Sequence, residues 1–141
     1  MKKDKNRFPD QSELGYLNLS EHGDFFLKDI IDNPQATDMD EIPGAIGKFG
    51  LEASNPIPIH GVPNSRIYLD NLRLRNGSPT SYERMGSMSN PSIEMPIDKY
   101  KIYDETGKEI TTIFISPYHL KCSEKAPEGF MILDQLMKKL L

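Results

Sequence analysis

Apolar positions along the chain follow two different periods, and the changes between them mark the expected elements. "DFFLKDIIDNP" puts Phe26 and Ile30 on one helical face, with Phe25, Leu27 and Ile31 on flanking rows. Asp24 stands where a cap belongs and Asn33-Pro34 where a helix stops, so a short N-terminal helix is predicted. "KYKIYDETGKEITTIFIS" alternates instead: Tyr100 and Ile102 share a face opposite Lys99 and Lys101. Its two β-rich runs join through Asp104 to Lys108, where Gly107 can take a positive φ, which predicts a hairpin. In the second run Ile110, Thr112 and Phe114 lie on one side and Ile113 and Ile115 on the other, the pattern of a central strand covered on both faces. "EGFMILDQLMKKLL" returns to helical spacing, with Phe130, Leu133, Met137 and Leu140 opposite Asp134, Gln135, Lys138 and Lys139. It predicts a C-terminal amphipathic helix packed on the sheet.

The middle of the chain is more broken. Pro56, Pro58 and Pro63 remove backbone donors from "NPIPIHGVPN", which therefore reads as an edge or crossing segment. In "SRIYLDNLRLRNG" Ile67 and Leu69 hold odd positions while Leu72 and Leu74 hold even ones. A strand with one buried face needs a bulge or turn at Asp70-Asn71 to absorb that slip, and a short helix through Leu69 and Leu72 is the competing reading. Asn76-Gly77 is a turn signal after which "SYERMGS" can return as a strand. Gly44, Gly47 and Gly50 make a pliant loop whose Ile42, Ile46 and Phe49 can dip into a core. The fold class expected is α+β: an antiparallel sheet of about four to five strands, with the C-terminal helix and the short N-terminal helix packed against it.

Length and charge narrow this picture. At 141 residues and 16.0 kDa the chain suits one core, so a single α+β domain is expected over 13–141 behind a flexible basic segment, 1–12. No apolar run is long enough for a membrane span and no secretory h-region follows the basic start, which points to a cytoplasmic protein with no membrane partner. One cysteine fits a reducing compartment. The net charge of −4 argues against nucleic acid as a partner. From Glu21 to Glu52 eight acids, among them Asp24, Asp29, Asp32, Asp38, Asp40 and Glu41, face only Lys28 and Lys48, a local balance of −6. That stretch reads as solvated surface, or as a face that steers toward a basic protein.

Candidate chemistry is sparse. His119 stands three residues before Cys122, a pairing that could serve a thiol nucleophile or a zinc site. A zinc site would need further ligands, and His22 and His60 are single and distant, so no metal and no cofactor is expected. "GAIGKFG" lacks the glycine spacing and the Ser or Thr of a nucleotide-binding loop. A polar constellation remains: His60, Asp70, Arg73, Tyr82, Arg84 and Ser87, with His119 and Cys122 beside it. Arg84 could pair bidentately with Asp70 or with an anionic ligand, the ordinary outcome being an internal salt bridge between strands.

"NPIPIHG", "YLDNLR", "YERMGS", "DKYKIYD" and "SPYHLKCSEKAPEGF" together resemble a pattern shared by small microbial proteins of no established activity. The resemblance spans residues 42 to 130 and implies a self-contained unit, with no functional residues to carry across. The leading expectation is a non-enzymatic protein-binding module, of the immunity or inhibitor kind, that uses its acidic face on a basic toxin or enzyme. The alternatives are a small hydrolase or transferase using His119 with Cys122 or the Arg84 region, and a ligand- or zinc-binding module.

Overall fold

The computed structural model describes residues 24–134 and 137. It divides into two compact units, Met1–Asn33 and Pro34–Leu141. In the first, helix α1 covers Asp24–Ile31, and Lys28 pairs with Asp32 one turn on, at 2.7 Å. The expected N-terminal helix is therefore present. The flexible segment expected over 1–12 lies outside the described residues.

The second unit is built on a four-stranded sheet of β1 (Ile57–Pro58), β3 (Ser81–Asn90), β4 (Ile93–Tyr103) and β5 (Glu109–Ser116), in the order β1-β5-β4-β3. The hairpin of β4 and β5 turns where the sequence predicts. Asp104 Oδ1 accepts the Thr106 and Lys108 N–H groups at 2.9 and 3.0 Å, while Gly107 turns at φ 87°. Such a side-chain-centred turn is what Asp supplies at this position. The expectation of a wholly antiparallel sheet is corrected: β1 runs parallel to β5, with Ile57 opposite Ile115. Pro58 has no N–H to give, so this segment can lie only at an edge and for two residues.

Helix α2 (Val62–Asp70) crosses one face of the sheet, and Pro63 in its first turn needs no N–H there. Regularity does break at Asp70-Asn71. The competing helical reading holds as far as Asp70 but not through Leu72: Tyr68 and Leu69 are buried on one side of a helix, and Leu72 then opens strand β2 (Leu72–Leu74). Strand β2 pairs with β6 (Phe130–Ile132) in a second, two-stranded sheet. The predicted C-terminal helix is thus replaced over 130–132 by a strand. Gly129, at φ 91°, breaks any helix begun at Pro127, and Phe130 is buried opposite Leu74. Residues 135–141 of that predicted helix, apart from 137, lie outside the described residues.

Two apolar clusters cover the two faces of the sheet. The larger joins Ile57, Ile59, Tyr68, Leu69, Leu72, Tyr100, Ile102, Ile113, Ile115 and Phe130. The smaller gathers Ile42, Ile93 and Ile97 with Met88 and Phe114, beneath the segment that runs from 42 to 53. β5 contributes to both, with Ile113 and Ile115 on one side and Phe114 on the other. The buried run is continuous because both faces are covered. Among the described residues no helix is long and apolar enough to cross a membrane.

Candidate functional site

Of the eight residues expected to form one polar constellation, six fall into two groups, and Arg73 and Ser87 stand apart from both. His60, His119 and Cys122 meet beyond the end of β5. His119 is 1% exposed. Its Nδ1 accepts the Thr37 N–H at 3.2 Å, so in the neutral ring Nε2 carries the proton and donates to Ser116 Oγ at 2.8 Å. Burial lowers its pKa from 6.5 to about 4, so it is neutral near pH 7. Both ring nitrogens are engaged, which leaves His119 no lone pair for a metal and no vacancy for a thiol proton. Cys122 Sγ instead meets the backbone N–H of His60 at 3.5 Å, and His60 Nδ1 donates to the His119 carbonyl at 2.7 Å. Neither ring nitrogen of His119 is thus bonded to the Cys122 thiol, the contact a nucleophile–base pair relies on. Among the described residues no three His, Cys, Asp or Glu side chains gather in a metal-binding cluster.

Asp70, Tyr82 and Arg84 form the second group, on the sheet face crossed by α2. Arg84 bonds Asp98 Oδ1 across the β3–β4 pair at 2.9 Å. The expected cross-strand salt bridge is present, with Asp98 rather than Asp70 as the acid. Asp98 was missed in the sequence, although a signal existed: it shares parity with Tyr100 and Ile102, so its carboxylate must lie on the buried face and needs a cation there. Tyr82 and Tyr100 meet edge to face at 5.9 Å between ring centroids. Burial, then the Asp70 carboxylate, pushes the Tyr82 phenol up, and burial followed by Asp98 does the same for Tyr100. Arg73 turns back to cap α2, donating to the Asp70 and Leu72 carbonyls at 2.8 Å each. Ser87 sits opposite Asp98 in the strand register and is exposed.

Of the acids expected to meet a partner, Asp24, Asp29 and Asp32 belong to the first unit and Asp38, Asp40 and Glu41 to the second. The last three lie on a strap over residues 34–46, bonded at Gln35, Thr37, Asp40 and Glu41, whose part over 37–46 holds the exposed Asp38, Met39 and Ile46. Gln35 grips the β3–β4 turn, donating to the Ser92 carbonyl at 2.9 Å and accepting the Glu94 N–H at 2.8 Å. The Thr37 carbonyl accepts the Leu120 N–H at 3.0 Å, beside the bond to His119. Asp40 takes Ser123 Oγ on its carbonyl and the Glu124 N–H on Oδ1, at 2.8 and 2.9 Å. Lys125 pairs with Glu41, holding that carboxyl below its usual range, and lies 5.1 Å from the centroid of the Phe49 ring. Asp38 has no bonded partner among the described residues and is exposed, while Met39 and Ile46 are 58% and 71% exposed. Asp38–Ala45, with Lys121 and Lys125, lines an open hollow.

The comparisons identify no relative: no family model, no curated protein and no solved structure matches this chain.

Proposed function

We propose that the chain is a non-enzymatic protein-binding module whose contact surface is the strap over residues 37–46, and that its partner is a protein with a basic surface, such as a toxin or enzyme held in check. The observation that carries this reading is the strap's construction. Backbone and side-chain bonds fix it from behind, at Thr37, Asp40 and Glu41. Its outer side presents two large apolar side chains, Met39 and Ile46, with the exposed Asp38 immediately before Met39. A loop already held in its bound shape loses little entropy on association, and apolar anchors flanked by charge are the usual make-up of a contact centre. Asp40 and Glu41 serve the loop's own geometry, so within the strap Asp38 carries the steering charge, with Asp24, Asp29 and Asp32 of the first unit adding to it in this reading.

The enzymatic alternative through His119 and Cys122 has little support, since both imidazole nitrogens are bonded elsewhere. Met39→Lys with Ile46→Lys is the test, because both positions are exposed and the change should leave folding intact. The wild-type chain, immobilised, is expected to retain a protein from its native cell extract in a salt-sensitive manner, and the double variant to lose it. An identical set of retained proteins from both would overturn the reading.

A further inference from the structure

A pocket of about 420 Å³ lies between α2 and the segment 121–124, and the strap takes no part in it. That volume is in the range of small-molecule sites. One wall is the row Asn64, Ile67, Tyr68 and Asn71, spaced so that all four share one face of α2 and its C-cap. Cys122 and Ser123 stand opposite, and Ile132 and Asp134 close one end.

The polar groups here are weighted toward acceptors. Asn64 gives an Nδ2 proton to the His60 carbonyl at 2.6 Å, and Asn71 gives one to the Ile67 carbonyl at 2.9 Å. Each carboxamide is thereby oriented, with the lone pairs of its Oδ1 left to accept beside one remaining Nδ2 proton. The Tyr68 hydroxyl donates to the Lys125 carbonyl at 2.6 Å, and Ser123 Oγ donates to Asp40, so neither proton is on offer. Asp134 and Glu124 add carboxylates, and Lys121 is the lone cation among the described lining residues. The result is an apolar floor of Ile67, Tyr68 and Ile132 edged by acceptors.

We propose that this pocket is a binding site for a small organic cation of the alkylguanidinium or alkylamine class. Its N–H donors go to Asn64 Oδ1, Asn71 Oδ1 and Asp134, and its alkyl body lies along Ile67, Tyr68 and Ile132. A planar guanidinium offers several donors at once and sheds its water more readily than an ammonium, so it fits this spread of acceptors best.

The test is a titration of the ¹⁵N-labelled full chain with butylguanidinium chloride, using butanol and butyrate as matched controls, followed by NMR. The side-chain amides of Asn64 and Asn71 and the backbone signals of Ile67 and Cys122 should shift saturably with the cation and not with the controls. Asp134→Asn should weaken binding about fivefold, the worth of one partly exposed charge contact. Ile67→Lys, at a position 56% exposed, puts an ammonium into the pocket and should abolish binding while the sheet signals stay in place. The proposal is overturned if no saturable shift occurs, if butanol shifts the same signals equally, or if Ile67→Lys still binds.

Discussion

The proton on His119 governs one of the bonds that fasten the strap. Nδ1 accepts the Thr37 N–H, so protonating it would set two donors against each other inside the core. The folded pKa is depressed to about 4 from 6.5, which means the unfolded chain takes up the proton first. His119 therefore contributes its stability fully above pH 6.5 and loses it as the pH falls through the window down to about 4. The whole loss amounts to about 3 kcal/mol. Urea midpoints measured between pH 7 and 5 should fall more steeply for the wild-type chain than for His119→Gln, which has nothing to titrate there. Equal slopes would dismiss the imidazole as a source of pH dependence. None of this could be read from His119 itself. The H-x-x-C spacing advertised chemistry, whereas the residues that settle the matter, Thr37 and Ser116, are unremarkable in sequence, and Thr37 lies 82 positions away.

Elements were legible where local pattern and tertiary packing agree. The β4–β5 hairpin is one such case, because alternation, β-branching and an Asp-to-Gly turn all point the same way. The segment after Pro127 is the opposite case. Phe130, Leu133 and Met137 carry helical spacing, yet a strand forms over 130–132 because β2 needs a partner for its backbone groups and Gly129 interrupts the helical path. Two glycines separate conformational need from close approach. Gly129 takes φ 91° with nothing within 4 Å of where a Cβ would stand, whereas at Gly50, φ 73°, that Cβ would fall 2.8 Å from Pro127 Cγ and 2.9 Å from Ile57 Cδ1. Gly129→Ala should cost only backbone strain, roughly 1–2 kcal/mol. Gly50→Ala adds an overlap of roughly 1–3 kcal/mol, since Gly50 is also bonded through its carbonyl to the Phe114 N–H and has little room to retreat. Denaturant midpoints for the two variants decide it. If Gly129→Ala proves as damaging as Gly50→Ala, crowding at Gly50 is not what that position is built to avoid.

At the scale of the whole chain, the feature that escaped the sequence is the parallel pairing of β1 with β5. Ile57 and Ile115 meet across 58 positions, and a two-residue strand that follows one proline and ends in another carries no local sign of its partner. What the sequence did disclose is where the core is concentrated, because the runs of apolar residues from Ile42 to Phe130 supply every buried member of both clusters. The four-stranded sheet, α2 and the bonds that fasten the strap all lie within Pro34–Leu141. The Gly50 carbonyl that meets the Phe114 N–H of β5 at 2.9 Å lies there as well. A chain shortened to 34–141 should therefore unfold in one cooperative transition and keep the wild-type NMR signals of β3, β4 and β5. Removing residues 1–33 also removes Asp24, Asp29 and Asp32, so the shortened chain separates the two acidic stretches. If the strap is the contact surface, the shortened chain retains the same partner with a weaker salt dependence, because steering charge is lost while the apolar anchors remain. Retention lost altogether from a shortened chain that still folds would place the contact on residues 1–33 and displace the strap from its proposed role.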